Sequence, residues 1–265
     1  MFRLALVTGA TSGIGEALCL LLAEKGIGII ATGRDPDKLN ALNRVCIKTL
    51  AADLKNRKER QMVIKLIQEM TPDLVINSAG FGLYGDALTY PTEEQMDILE
   101  VNGTAMLEVT LEAARAMVTK GIQGIIINIS SAAAFPLFPG CAVYSAAKAF
   151  VNHFSQSFDL EMQPHGVRVL AVCPGMVATQ FRQRAGGGGD LPRSLIKPMS
   201  AQSVAKEIWQ QILSGKALKI IDWKYRALTW VMQYFIPKKW VANILKAEMA
   251  KRAPNHILIK DNTDE

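Results

Sequence analysis

The chain has 265 residues, 49% hydrophobic and 20% charged, with a formal net charge of +6. That composition excludes a disordered or low-complexity chain, and the length supports a core that needs no staples. Four cysteines without a C-x-x-C pair exclude a disulfide scaffold and a zinc finger, and three scattered histidines point to no metal.

Short apolar runs alternate with amphipathic stretches along the chain. Leu4–Thr8, Gly28–Thr32, Ile47–Ala52, Leu74–Asn77, Ile125–Ser130, Val167–Cys173 and Leu218–Ile221 are expected strands. They are unalternated and rich in β-branched residues, as strands of a parallel sheet covered on both faces are. After Gly13, Ile14, Leu18, Leu21 and Leu22 fall at helical spacing, and Gly26 stops the helix. Strand–helix alternation throughout predicts an α/β, Rossmann-type doubly wound parallel sheet of about seven strands with right-handed crossovers.

The first expected strand runs into Thr8-Gly9-Ala10-Thr11-Ser12-Gly13-Ile14-Gly15. Glycines at G-x-x-x-G-x-G spacing let the backbone turn sharply and approach a pyrophosphate, and the helix that follows offers free N–H groups. The second strand leads to Arg34, where an α/β dinucleotide site meets the adenosine ribose. Arginine there suits a 2′-phosphate, so NADP(H) is the expected cofactor. Asp35 and Asp37 follow closely and leave NAD(H) open as the alternative. Asp53, before Leu54, is placed to accept from an adenine amino group. Asn77-Ser78-Ala79-Gly80 supplies small residues beside the cofactor.

The strand over Ile125–Ile129 delivers Ser130 and Ser131 at its C-terminal end, where open α/β sheets place their chemistry. Tyr144 and Lys148 then stand at i and i+4 on one helix face. An ammonium there favours the phenolate, which would make Tyr144 a usable acid or base. Phe135, Leu137, Phe138, Cys141, Met176, Val177 and Phe181, with Phe81 to Tyr84 opposite, are the expected walls of an apolar pocket. Thr179–Pro198, containing the Gly186–Gly189 run, is the expected lid. Arg182, Arg184 and Arg193 read as solvated loop charges, with phosphate binding as the alternative.

In these motifs the chain resembles the single-domain class of the short-chain dehydrogenase/reductase family. The matching residues are Thr8–Gly15, Asp53, Asn77–Gly80, Asn102, Ser131, Tyr144, Lys148, and Pro174-Gly175 with Thr179, over about residues 4 to 221. The resemblance implies that Tyr144 donates the proton and Ser131 holds the substrate oxygen. Lys148 would lower the tyrosine pKa and bind the nicotinamide ribose, and Asn102 would support a relay water. On its own, Asn102 reads as a polar residue inside a helix. The resemblance also implies cofactor contacts along Gly9, Thr11, Ser12, Gly13, Ile14 and Gly15, and at Arg34, Asp53, Leu54, Asn77, Ala79, Gly80, Tyr144, Lys148, Pro174, Gly175, Val177 and Thr179. Substrate would touch Ser131, Phe135, Cys141, Tyr144, Met176 and Phe181. Many NADP-using members carry a basic residue where this chain has Ser12, so the NADP reading rests on Arg34.

The expected function is an NADPH-preferring oxidoreductase, a carbonyl reductase that interconverts an apolar aldehyde or ketone and its alcohol. The alternative is a non-catalytic nucleotide sensor or membrane-surface scaffold on the same fold. Residues 1–222 form the expected dinucleotide-binding and catalytic domain, and 223–265 a helical extension. Residues 215–260 hold ten Lys and Arg against two acids, whereas residues 1–214 are almost balanced, with twenty against nineteen. The extension could pack on the same domain, on a partner subunit or on a membrane surface. No nucleic-acid motif accompanies the charge. With no spanning run, no leader and free cysteines, a cytoplasmic, homodimeric or homotetrameric protein is expected, with peripheral membrane contact left open.

Overall fold

A computed structural model describes residues 2–187, 197–253, 256 and 257. Seven strands form one all-parallel sheet in the order β3-β2-β1-β4-β5-β6-β7. They are β1 (Leu4–Thr8), β2 (Gly28–Gly33), β3 (Lys48–Ala51), β4 (Leu74–Asn77), β5 (Gly124–Ile129), β6 (Val167–Cys173) and β7 (Leu218–Ile220). The chain starts near the middle, winds out to β3, then crosses back past β1 to β4. The reversal of direction therefore falls between β1 and β4, where such sheets bind ligands beyond the strand ends.

Helices cover both faces. They are α1 (Gly13–Glu24), α2 (Pro36–Leu42), α3 (Arg57–Met70), α4 (Thr92–Leu99), α5 (Met106–Thr119), α6 (Ala142–Met162), α7 (Phe181–Arg184), α8 (Ala201–Ser214), α9 (Trp223–Tyr234) and α10 (Lys238–Arg252). One core joins β-strand side chains such as Val7, Ile29 and Ile127 to Leu18, Leu22, Val204 and Ile208 of α1 and α8. The other joins Leu6, Ile30 and Ile126 to Val63, Ile67, Val109 and Met117 of α3 and α5. Successive strand residues feed opposite faces, which is why central strands such as β1, LALVT, are mostly apolar and buried at every position.

Residues Glu100–Ala105 between α4 and α5 form a π-helical turn rather than plain α-helix. Beyond β7, the inner side of α9 and α10 packs against the rest of the chain. A Cβ on Gly175 would lie 2.1 Å from the Tyr225 ring, and one on Gly140 would lie 2.9 Å from Met249. Lid residues 188–196, including Gly188, Gly189 and Arg193, lie outside the described residues, as does most of the chain after 253.

Candidate active site

The predicted motifs converge on the C-terminal edge of the sheet. At the end of β1 the chain turns at Gly9 with φ +65°, a conformation that favours glycine. A Cβ on Gly15 would lie 2.3 Å from the Gly9 carbonyl oxygen, so the loop closes only with glycine there. Ser12 caps α1 without a side-chain hydrogen bond, and the N–H groups of Gly13, Ile14 and Gly15 open the helix. Thr11 packs against Gly33, and Thr179 against Gly13. Thr8 Oγ1 accepts from the N–H groups of Ser78 and Ala79 at 3.1 Å, joining this loop to the one after β4. A helix N-terminus beneath a glycine turn fits the pyrophosphate of a dinucleotide.

Arg34 is exposed at the end of β2, with Nη1 3.9 Å from Asp53 Oδ2. A contact that long, from an exposed arginine to a half-buried acid, holds the guanidinium weakly. Asp35 is engaged as the cap of α2, accepting from the Lys38 N–H at 3.1 Å. Asp53 accepts from the Lys55 N–H at 3.0 Å, and the Leu54 carbonyl accepts from the buried Arg60 at 2.7 Å. Arg60 also bonds Glu100 at 2.7 Å, tying this corner to the π-helical turn.

Two expectations shift here. Asn77 was expected against the cofactor, but its side chain is a strut. Nδ2 donates to Thr110 Oγ1 at 3.0 Å and to Asn128 Oδ1 at 2.8 Å, both buried. Asn128 Nδ2 donates in turn to Ser155 Oγ at 3.0 Å. Arg184, read as a solvated loop charge with phosphate binding as the alternative, is exposed and stands over the glycine loop. Its Nη1 is 3.4 Å from Ser12 Oγ, and Gln180 Oε1 braces Nη2 at 2.9 Å. A cation therefore reaches Ser12 from the far side of the site, where the sequence offered none nearby.

Tyr144 and Lys148, one turn apart on α6, are both buried. The Lys148 ammonium donates to the Ile129 carbonyl at 2.8 Å, and the Lys148 carbonyl accepts from Ser130 Oγ at 2.9 Å. Burial pushes Lys148 down to about 8. Burial also raises the Tyr144 hydroxyl well above the usual tyrosine range, and the nearby Ser131 pulls the other way. The sequence predicts a tyrosine lowered by its lysine. In the structure desolvation dominates both groups, because each would have to carry charge in a dry corner. Tyr144 is consequently a neutral phenol at neutral pH. Ser131 Oγ also accepts from the Ala133 N–H at 3.1 Å, which fixes the loop after β5.

Asn102 lies in the π-helical turn, where its Nδ2 donates to the carbonyls of Phe81 and Ile98 at 2.7 and 3.0 Å. Its Oδ1 is buried with no hydrogen-bond partner among the described residues. A Cβ at Gly80 would lie 2.5 Å from that oxygen and 3.3 Å from Lys148 Nζ. The sequence placed Asn102 inside a helix; it did not reveal that the helix loosens there. π turns occur mostly as isolated insertions, often at functional sites.

Around Tyr144 the structure gathers Ile98, Cys141, Phe81, Leu83, Tyr84, Phe138 and Phe181. Phe181 approaches the tyrosine ring at 5.5 Å between centroids. Not every expected wall is part of this cluster. Phe135 and Leu137 line a crevice against Thr229, Met232 and Val241 of α9 and α10. Val177 packs on the α1–α8 side and bridges to Met199. The Met176 N–H donates to the Tyr225 hydroxyl at 3.0 Å, and Pro174 O accepts from the Ala132 N–H at 2.8 Å. Tyr225 therefore props the Pro174–Met176 loop from behind, a role the aromatic count of the tail did not reveal.

A family model described as short chain dehydrogenase matches residues 3–187. The chain belongs to the short-chain dehydrogenase family. It is an oxidoreductase of that family. It is 36% identical over 183 residues to an uncharacterized oxidoreductase of Staphylococcus aureus (strain MW2), covering 67% of this chain and 79% of the relative. Among solved structures, a short-chain dehydrogenase from Sphingobium yanoikuyae in complex with NADPH superposes with a TM-score of 0.79. The two are 28% identical, over 87% of this chain and 94% of that one. A bulky-bulky ketone specific alcohol dehydrogenase from Comamonas testosteroni has a TM-score of 0.74 and 25% identity, over 94% and 92% of the two chains.

Proposed function

We propose that the protein is an NADPH-preferring reductase of apolar aldehydes and ketones, able to run in reverse on the alcohols. The observation that carries this reading is a buried, neutral phenol, Tyr144, beside Ser131 inside an apolar wall. A group that must give a proton to a carbonyl oxygen has to hold that proton at working pH. A bound nicotinamide supplies the hydride that reaches the carbonyl carbon.

The chain's own residues do the rest. Ser131 Oγ holds the substrate oxygen, and Tyr144 gives it the phenolic proton, so the carbonyl becomes an alcohol. Lys148, near half-charged around pH 8, binds the cofactor ribose and returns a proton toward the tyrosinate. The unpartnered Asn102 Oδ1, beside Lys148, holds a water that links the lysine to solvent. The α1 N-terminus and Arg184 hold the pyrophosphate, with Gly9, Gly13, Ile14, Gly15, Ala79 and Gly80 lining its bed. Arg34 supports NADP over NAD, since Asp35 is already committed to its cap. Phe181, Cys141, Phe138 and Leu83 favour a hydrophobic substrate.

The same reading takes residues 1–222 as the dinucleotide and catalytic unit, with 223–265 packed upon it. The stacked Phe150, Phe154 and Phe158 on α6, with Phe150 exposed, support self-association as a homodimer or homotetramer. The free thiols suit a reducing cytoplasm. Oxidation of NADPH and of NADH across aliphatic aldehydes, bulky ketones, steroids and quinones tests the proposal. Turnover of apolar carbonyls with NADPH favoured is the expected result; activity confined to NADH, or to charged substrates, contradicts it.

A further inference from the structure

The α9–α10 hairpin has two unlike sides. Its inner side carries Tyr225, Thr229, Val241 and Met249, packed on the loops that hold Gly175 and Gly140. Its outer side carries Trp223, Trp230, Tyr234, Phe235, Trp240 and Ile244, each 57% exposed or more. On α9, Trp223, Ala227, Trp230 and Tyr234 fall at i, i+4, i+7 and i+11, which is one stripe of a helix. Trp230 touches Phe235 at 4.8 Å and Tyr234 at 6.2 Å between centroids, so these three rings form one cluster. Three of the four tryptophans of the chain are exposed on these two helices. A single exposed ring needs no explanation, but a contiguous aromatic patch marks a contact surface.

Cations frame this patch. Lys224, Arg226, Lys238, Lys239, Lys246 and Lys251 are exposed on the same two helices. Among the described residues of this segment the two acids are already engaged, Asp222 as the cap of α9 through the Lys224 N–H and Glu248 beside Lys251 at 3.8 Å. We infer that this face docks the protein on an anionic lipid bilayer. Tryptophan and tyrosine favour the layer between headgroups and acyl chains, and lysines around them meet lipid phosphate. Spanning is excluded for these helices, at 12 and 15 residues against the roughly 20 a bilayer requires. A second copy on this face is the weaker occupant. A two-fold contact sets each patch against itself, and six like charges would face six. The surface acts independently of which substrate the site reduces.

Co-sedimentation of the full-length protein with vesicles tests the inference. Mixed phosphatidylcholine–phosphatidylglycerol vesicles should pellet it at low salt and lose it at high salt, while pure phosphatidylcholine should hold it far less. Tryptophan emission should shift blue on binding. Lys238→Glu with Lys239→Glu should weaken binding on the order of tenfold or more, with an unchanged melting temperature. Trp230→Glu with Trp240→Glu should abolish it. No pelleting at low salt overturns the inference, as does equal binding to both lipids. A wild-type oligomer that dissociates on Trp230→Glu also overturns it, assigning the face to a second copy.

Discussion

The Tyr144–Lys148 corner and the α9–α10 hairpin are built from the same residue types, aromatic rings beside lysines. At the corner, Lys148 donates to Ile129 and is driven down to about 8 by burial. On the hairpin, Lys238 and Lys239 stand in solvent next to Trp240. Residue type alone therefore does not decide between chemistry and adhesion. Burial does: it changes which protonation state a group holds, and its absence leaves charge and ring free to meet a surface.

The buried side of this contrast can be broken through its proton. An unfolded lysine titrates near ~10.4, and folded Lys148 near 8. Between those values the unfolded chain binds the extra proton, so this site's contribution to stability rises with pH. Below pH 8 both states are charged and the full cost of burying the ammonium remains. Lys148→Met removes that cost, so its stability relative to wild type should fall by roughly 2–3 kcal/mol from pH 7 to pH 10. Denaturant melts of both proteins across that range measure it. A gap that stays constant would mean Lys148 is not desolvated as described.

Arg34 belongs to the exposed class, and on the proposed reading its guanidinium acts only when a phosphate arrives. Arg34→Ala should weaken NADPH binding by about 1.5–3 kcal/mol, the range for hydrogen bonds to charged groups, and leave NADH almost unchanged. Titration calorimetry with both cofactors decides it, and equal losses would make the residue structural.

The smallest effects separate strut from surface. Asn128→Ala strips partners from Asn77, Thr110 and Ser155 and should cost about 1–3 kcal/mol. Trp230→Ser, on the outer face, should cost under about 0.5 kcal/mol in the absence of lipid. Thermal melts that rank the two the other way round would show that the hairpin face is covered in the isolated protein.

Much of the fold was legible because a parallel strand buried on both faces must be an apolar run bounded by turn residues. Leu4–Thr8, Leu74–Asn77 and Val167–Cys173 begin and end where the sequence placed them. The tyrosine, lysine and serine were legible because their spacing is local to one helix and one strand end. What escaped depends on partners distant in sequence. Asn77 is held by groups 33 and 51 residues away, so its direction could not be read from its neighbours. Arg184 meets Ser12 across 172 residues. The loosened turn at Asn102 reflects how α4 and α5 join over the sheet, while its local composition still favours a helix. The outward phase of the hairpin needed Tyr225 to be seen under Gly175.

The central claim is that Tyr144 gives a proton while hydride passes to an apolar ketone. NADPH deuterated at the transferred position, supplied with such a ketone, tests it in one assay. Wild type should place deuterium on the carbinol carbon, one per NADPH consumed. Tyr144→Phe should bind NADPH normally and form that product about 10²–10⁴-fold more slowly. Deuterium absent from the alcohol, or near-wild-type turnover by Tyr144→Phe, would contradict the account.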